Sequence, residues 1–218
     1  MQNHRLKIFL LSLYIAVFLW SVIEPKDMFI WMLEVAPAVM ALAVLGLTYK
    51  SFPLTPLAYL LITLHACILF IGGHYTYAEV PLFDWIRDAF DGSRNNYDKL
   101  GHFAQGLVPA IIAREIFIRK AVVENRKWLA YFVITTCLGI SAGYELLEWV
   151  VAEGTGASAD AFLGTQGYAW DTQSDMLSAT FGAAMALLLF SQMHDRQILY
   201  VQAQPGILYV SKRLDVTA

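Results

Sequence analysis

Long apolar runs separated by short polar segments make up most of the chain. The runs cover residues of about 6–23, 28–48, 54–73, 100–118, 128–150 and 174–193. Each run is about as long as the roughly 20 residues that an α-helix needs to cross the hydrocarbon core of a bilayer. The pattern therefore predicts an all-α, polytopic membrane protein built as a bundle of six transmembrane helices. Because the intervening loops are too short to fold separately, we expect residues 1–218 to form a single integral membrane domain.

One loop has a helical pattern of its own. Residues 81–91, PLFDWIRDAFD, place apolar side chains on one face of a helix and charged side chains on the other. Proline at the start and Asp-Gly at the end frame a helix of about three turns. Two interpretations stay open, since the helix either lies in the membrane interface with Trp85 and Phe90 among lipid headgroups or packs on the other helices. In both, it covers the outer mouth of the bundle.

Composition and charge add a class and an orientation. Hydrophobic residues make up 58% of the 218 positions and charged residues 15%, which is typical of a membrane protein. With a net charge of -3, the chain gives no indication of nucleic-acid binding, and the lipid bilayer is the expected partner. Lys and Arg concentrate in alternate loops, above all in RKAVVENRK at 119–127. The positive-inside rule therefore predicts that both termini are cytoplasmic, and carboxylates concentrate on the opposite, outer side.

Three outer helix ends each carry two ionisable residues three or four positions apart, a spacing that puts each pair on one helix face. The pairs are Asp98 with His102, Glu145 with Glu148, and Asp171 with Asp175. The fourth and sixth runs start on the outer side and the fifth ends there. The three pairs are therefore expected to meet at one level of the membrane.

Clustered carboxylates repel one another, and an ionised side chain at the centre of a span costs about 2.5–3.5 kcal/mol. A divalent cation removes this conflict, and carboxylate oxygens with an imidazole nitrogen suit Mg, Mn, Fe or Zn. We therefore predict a metal site whose ligands are Asp98, His102, Glu145, Glu148, Asp171 and Asp175, with His102, Glu145 and Asp175 as the catalytic residues. Alternatives stay open at single positions: Asp98 and Asp171 are suitable helix N-caps, and Lys99 is a candidate ion-pair partner.

The segments DKLGHFAQG, SAGYELLEW and FLGTQGYAWDTQSDM, in this order across the six runs, resemble the YjdF family of bacterial inner-membrane proteins. The resemblance covers nearly the whole chain and implies a multi-pass protein of the inner membrane, in a family without an assigned biochemical function. Tyr168 departs from the family pattern, which has an acidic residue there in many members. The Asp-Lys-x-x-His-Phe start is also similar to the VanZ family, a more limited resemblance that implies a role in the cell envelope.

Three classes of function stay open. The leading hypothesis is a metal-dependent hydrolase or transferase that acts on a lipid or other envelope molecule, with the metal activating water and a free carboxylate or His102 as general base. The second is a non-catalytic membrane module whose ion or salt-bridge cluster holds the helices together. The third is a transporter, which requires polar residues through the inner half of the membrane, where only Arg114 and Glu115 are candidates.

Overall fold

The computed structural model describes residues 2–155 and 164–203. Over these ranges it contains seven α-helices, one short 3-10 turn at Tyr77–Glu79 and no β-strand, so the all-α prediction is confirmed for the described part of the chain. The helices are α1 Gln2–Ser21, α2 Met28–Thr48, α3 Pro56–Tyr75, α4 Pro81–Ala89, α5 Tyr97–Arg119, α6 Arg126–Thr155 and α7 Asp171–Gln202.

The helices follow the predicted runs but extend beyond most of them at their polar ends. α2 has the predicted bounds of 28–48, and α4 takes up nine of the eleven residues predicted for the amphipathic segment. α6 and α7 are longest, with 30 and 32 residues, because helical hydrogen bonding continues into polar flanks that an apolar run does not mark. Local signals set some boundaries: the Asp27 carboxylate accepts bonds from the first turn of α2, and Thr55 caps α3 ahead of a proline.

Length and composition support five of the six predicted spans. α1, α2, α3, α6 and α7 are long and apolar enough to cross a membrane. α5, at 23 residues, has the length but is not among them, because ionisable residues at both of its ends make it less apolar. Among these residues, Asp98, His102, Arg114, Glu115 and Arg119 are buried and Lys99 is partly buried. α5 is therefore a polar helix enclosed by more apolar ones.

α5 packs on α3, α6 and most extensively on α7. The α5–α7 crossing is close because it is made by glycine and alanine: a Cβ atom added at Gly106 would lie 1.7 Å from the Ala179 carbonyl oxygen, and one at Gly182 would lie 2.1 Å from that of Phe103. Ala183, one turn after Ala179 on α7, has no exposed surface. Small residues let two helix backbones touch in a membrane bundle. The crossing fixes the first turns of α5 and α7 side by side.

The apolar face of α4 is left largely open by the described residues. Leu82, Trp85 and Phe90 are 61%, 67% and 80% exposed, whereas Phe83 packs on the Tyr97 ring with centroids 5.2 Å apart. The fully buried Asn95 donates to the Val80 carbonyl and the Asp84 carboxylate, which joins α4 to the start of α5. Among the described residues, other helices do not cover the whole apolar face of α4. The uncovered part of this face is the part that would contact lipid if α4 lies in the membrane interface.

A second ionisable network lies at the other end of α5. The fully buried Glu115 accepts hydrogen bonds from the backbone N–H and the hydroxyl of Thr55, lies 2.5 Å from Arg119 Nη1 and is 3.2 Å from His194 Nε2. Arg114 forms an ion pair of 2.6 Å with Asp195. Arg114 and Glu115, the two residues that the transporter hypothesis requires, are therefore both engaged in ion pairs. His194 and Thr55 are partners that the sequence pattern did not indicate.

Candidate functional site

The six predicted site residues are all buried and come from the three helix ends that were expected to meet. Asp98 and His102 lie in the first two turns of α5, Asp171 and Asp175 in those of α7, and Glu145 and Glu148 near the end of α6. The N-capping alternative is wrong. The N-cap residues of α5 and α7 are Asn96 and Trp170, and neither makes a side-chain cap hydrogen bond.

One side of the site is a dense set of ion pairs. Lys99 Nζ lies 2.7 Å from Asp171 Oδ1 and 2.6 Å from Asp175 Oδ1, so the ion-pair alternative for Lys99 is confirmed. Arg94 Nη1 lies 2.6 Å from the same Asp171 oxygen. The sequence pattern did not indicate Arg94, because it lies in the loop before α5, where no helical spacing relates it to Asp98. Asp171 and Asp175 are therefore already compensated by two cations of the chain.

The other side of the site converges on His102. Its Nε2 atom lies 3.4 Å from Asp98 Oδ1 and 3.5 Å from Glu145 Oε1, while Nδ1 is 3.1 Å from Gln105 Oε1. With its proton on Nδ1, the ring donates to Gln105 and turns the Nε2 lone pair toward the two carboxylates. Asp98 Oδ2 and Glu145 Oε1 are buried oxygens without a hydrogen-bond partner. Because buried polar atoms are nearly always hydrogen-bonded, these two atoms call for an additional partner.

The donor set around His102 fits a small divalent cation. Two groups bring one possible ligand atom from each residue to within 4.8 Å of one another: Asp98 with His102 and Asp175, and His102 with Glu145 and Glu148. Around an ion with bonds of about 2.0–2.2 Å, ligand atoms lie roughly 3.0–3.6 Å apart, close to the two separations from His102 Nε2. Asp171 is in neither group, and the two groups share only His102. The structure therefore divides five of the six predicted ligands between two triads and pairs the sixth with Arg94 and Lys99.

Hydrogen bonds hold the loop before α7 against residues 94 and 95, next to this site. Gln166 donates to the Asn95 carbonyl and accepts from the Asn95 N–H, and Arg94 donates to the Gly164 carbonyl. Gly164 and Gly167 have φ values of +60° and +80°, a left-handed conformation that glycine adopts without strain. The two glycines thus permit tight turns in this loop. The ring of Tyr168 lies over both cations, 5.6 Å from Arg94 Cζ and 5.9 Å from Lys99 Nζ.

A cavity of about 250 Å³ leads from the site into the bundle between α2, α3, α5 and α6. Its polar wall carries Glu34, Tyr77, Asp98, His102, Tyr144 and Glu148, and its remaining wall is mostly apolar. Glu34 brings a carboxylate of α2 to this cavity. His74 at the end of α3 lies elsewhere: its Nδ1 is 3.2 Å from the Ser21 carbonyl oxygen, and its ring packs on Trp20.

Apolar helices that enclose buried ionisable side chains define an integral membrane protein of the multi-pass class. The family description "Predicted membrane protein (DUF2238)" matches residues 6–196. The chain is also 48% identical over 182 residues to "Inner membrane protein YjdF" of Escherichia coli (strain K12), covering 84% of this chain and 87% of that relative. The chain therefore belongs to this family of membrane proteins, and the likeness to YjdF that its motifs predicted is confirmed. No solved structure matches it. The resemblance to the VanZ family stays a prediction.

Proposed function

We propose that the protein is a metal-dependent hydrolase or transferase that acts on a lipid or other envelope molecule at the outer side of the membrane. The observation that carries this proposal is the convergence of Asp98 and Glu145 on His102 Nε2, with a buried Glu145 oxygen that has no hydrogen-bond partner. His102, Glu145 and Asp175 are the proposed catalytic residues. Asp98 completes the ligand set, Glu148 lies next to it on the cavity wall, and Asp171 positions Arg94 and Lys99 beside the site.

Each side chain has a task that follows from its contacts. A divalent ion at this place would polarise a substrate oxygen and a water molecule. Gln105 holds the His102 ring so that Nε2 faces the carboxylates. Lys99 forms an ion pair with Asp175 and keeps its carboxylate in place. A carboxylate of the second group, Glu145 or Glu148, is left to take a proton from water, since a general base must lie within hydrogen-bonding reach of the proton it removes.

We further propose that α5 is a sixth membrane-crossing helix, that both termini are cytoplasmic and that α4 lies in the outer interface. α5 is longer than the roughly 20 residues that a crossing requires, and its polar side chains face α3, α6 and α7 instead of lipid. The basic segment 119–127 then lies in the cytoplasm, in agreement with the positive-inside rule. In this arrangement the His102 site opens toward the periplasm.

A second candidate function is supported by the ion-pair side of the site. Lys99 and Arg94 approach Asp171 and Asp175 at 2.6–2.7 Å, which is the geometry of a charge-paired helix junction that needs no metal. In that case the protein is a non-catalytic membrane module, and the cluster holds α5 and α7 together.

Elemental analysis of gently purified protein separates the two candidates. The metal site predicts near-stoichiometric divalent metal that falls in His102→Ala and Glu145→Ala, while Asp88→Asn, a matched change at an exposed carboxylate on α4, leaves the metal content unchanged. It also predicts a lower melting temperature in chelator. Metal-free wild-type protein with unchanged melting in chelator would refute the metal site and support the structural module.

A further inference from the structure

The cavity beside the site has more negative than positive groups. Six carboxylates belong to the site and its cavity: Glu34, Asp98, Glu145, Glu148, Asp171 and Asp175. Arg94 and Lys99 compensate two of them, and the divalent ion of the proposed function would compensate two more. Glu34 and Glu148 then remain. This count of uncompensated carboxylates rests on the proposed function, since it includes the metal ion. Without a metal the excess of carboxylates is larger still.

Glu34 and Glu148 are the two carboxylates best placed to meet a ligand. They are 4% and 6% exposed, and both line the cavity. Neither forms an ion pair with any residue of the described ranges, whereas the other four carboxylates each have a cation or His102 within 4.0 Å. Residues 156–163, which follow α6, include no Lys or Arg in the sequence. A buried carboxylate without a counter-charge is costly, so these two call for a cationic partner or a proton.

Two tyrosines also belong to the polar wall of the cavity, which His65 and Gln105 line as well. The Tyr144 hydroxyl is buried without a hydrogen-bond partner and lies on the cavity with Glu148, four residues further along α6. The Tyr77 ring is fixed between α3 and α5, since a Cβ atom at Gly72 or Gly101 would lie 2.2 Å or 2.8 Å from it. Carboxylates combined with aromatic rings are the groups by which proteins bind ammonium ions, through charge pairing and cation–π attraction.

We propose that this cavity binds the protonated amine of an amphiphilic ligand, with the ammonium group between Glu34 and Glu148 and the attached carbon chain along the apolar wall. That wall includes Ala38, Ala41 and Ile112. At about 250 Å³ the cavity is smaller than the roughly 300–1,000 Å³ typical of sites for whole small molecules. It therefore takes the amine and the first part of a chain, and the rest of the amphiphile stays in the bilayer.

The first test compares octylamine with 1-octanol, which has the same chain without the charge. We expect octylamine to raise the melting temperature of the purified protein at concentrations at which octanol has no effect. Glu34→Gln and Glu148→Gln keep the side-chain shape and should each weaken the apparent affinity for octylamine at least tenfold. Glu153→Gln, at an exposed position of the same helix α6, is the matched control and should respond like wild type.

Equal responses to octylamine and octanol, or full octylamine affinity in both glutamine variants, would overturn the inference. If the variants do not fold, the comparison of the two compounds on wild-type protein still decides it. Metal content of the same samples separates this inference from the proposed function. Amine preference in metal-free protein supports the ammonium site alone, whereas metal-containing protein without amine preference overturns the ammonium site and leaves the metal site standing.

Discussion

The α5–α7 crossing leads to a quantitative prediction for a single methyl group. In Gly182→Ala, the new Cβ atom would lie 2.1 Å from the Phe103 carbonyl oxygen and 3.0 Å from the Leu107 nitrogen. Favourable carbon–oxygen contacts begin at roughly 3.3 Å, so the two helices must separate locally by roughly 1.2 Å. Neither contact atom is the flexible end of a side chain, since both belong to the backbone of α5. Overpacking of this kind costs about 1–3 kcal/mol.

The same displacement should reach the site. Lys99 on α5 and Asp175 on α7 are 2.6 Å apart. A further separation of roughly 1.2 Å would place the two atoms roughly 3.8 Å apart, beyond the roughly 3.2 Å at which hydrogen bonds end. We therefore expect Gly182→Ala to lower both the free energy of unfolding and, where the proposed metal site exists, the metal content. A denaturant titration in detergent measures the first quantity, and elemental analysis measures the second.

Gly143→Ala is the matched control, because it makes the same change inside a helix where no atom lies within 4 Å of the added Cβ. Alanine is favoured over glycine in a helix interior by up to about 1 kcal/mol, so this variant should be as stable as wild type or more stable. Wild-type stability of Gly182→Ala, or equal losses in the two variants, would refute the close crossing.

Two further predictions address the far end of α5 and its path through the membrane. Glu115→Ala should lower the free energy of unfolding by about 3–5 kcal/mol, because it removes the carboxylate paired with the buried Arg119. Glu115→Gln should lower it less, since glutamine keeps the shape and hydrogen-bonding groups of the side chain, and losses under about 1 kcal/mol in both variants would contradict the network. Reporter fusions at residues 122 and 92 should show cytoplasm and periplasm, respectively, whereas reports from the same side would contradict a membrane-crossing α5.

The sequence pattern predicts most of this fold because membrane helices are marked by length and hydropathy alone. α2 shows the best agreement, since Asp27 and a polar break bound its apolar run on both sides. The pattern is less informative for α5, whose ionisable residues are compatible with a crossing helix only once its neighbours cover them. The far end of α7 was also beyond prediction, because Gln197 has no apolar signal and is placed by its bond to the Leu57 N–H.

For the candidate site, spacing predicts which residues share a helix face but not which charges neutralise them. The i, i+4 pairs of α5 and α7 do meet, as His102 and Asp175 show. Arg94 lies in a loop, where no periodicity indicates the direction of its side chain, and it is placed by its bond to Gly164 and its ion pair with Asp171. Glu34 comes from a helix far away in the sequence, so only three-dimensional packing brings it to the cavity.

The contrast between α5 and the other long helices has a consequence for biogenesis. An isolated helix that carries Asp98, Arg114, Glu115 and Arg119 would be retained poorly by the translocon, which sorts segments by their own transfer free energy. Among the described residues, its charges are paired with groups on α3 and α7, with Arg94 just before its first turn, and with one another, as Glu115 is with Arg119. Because α7 follows α5 in the chain, the membrane-crossing α5 proposed above must stay close to the earlier helices until α7 emerges. Under that proposal, stable integration of α5 and completion of the site are one late event in synthesis.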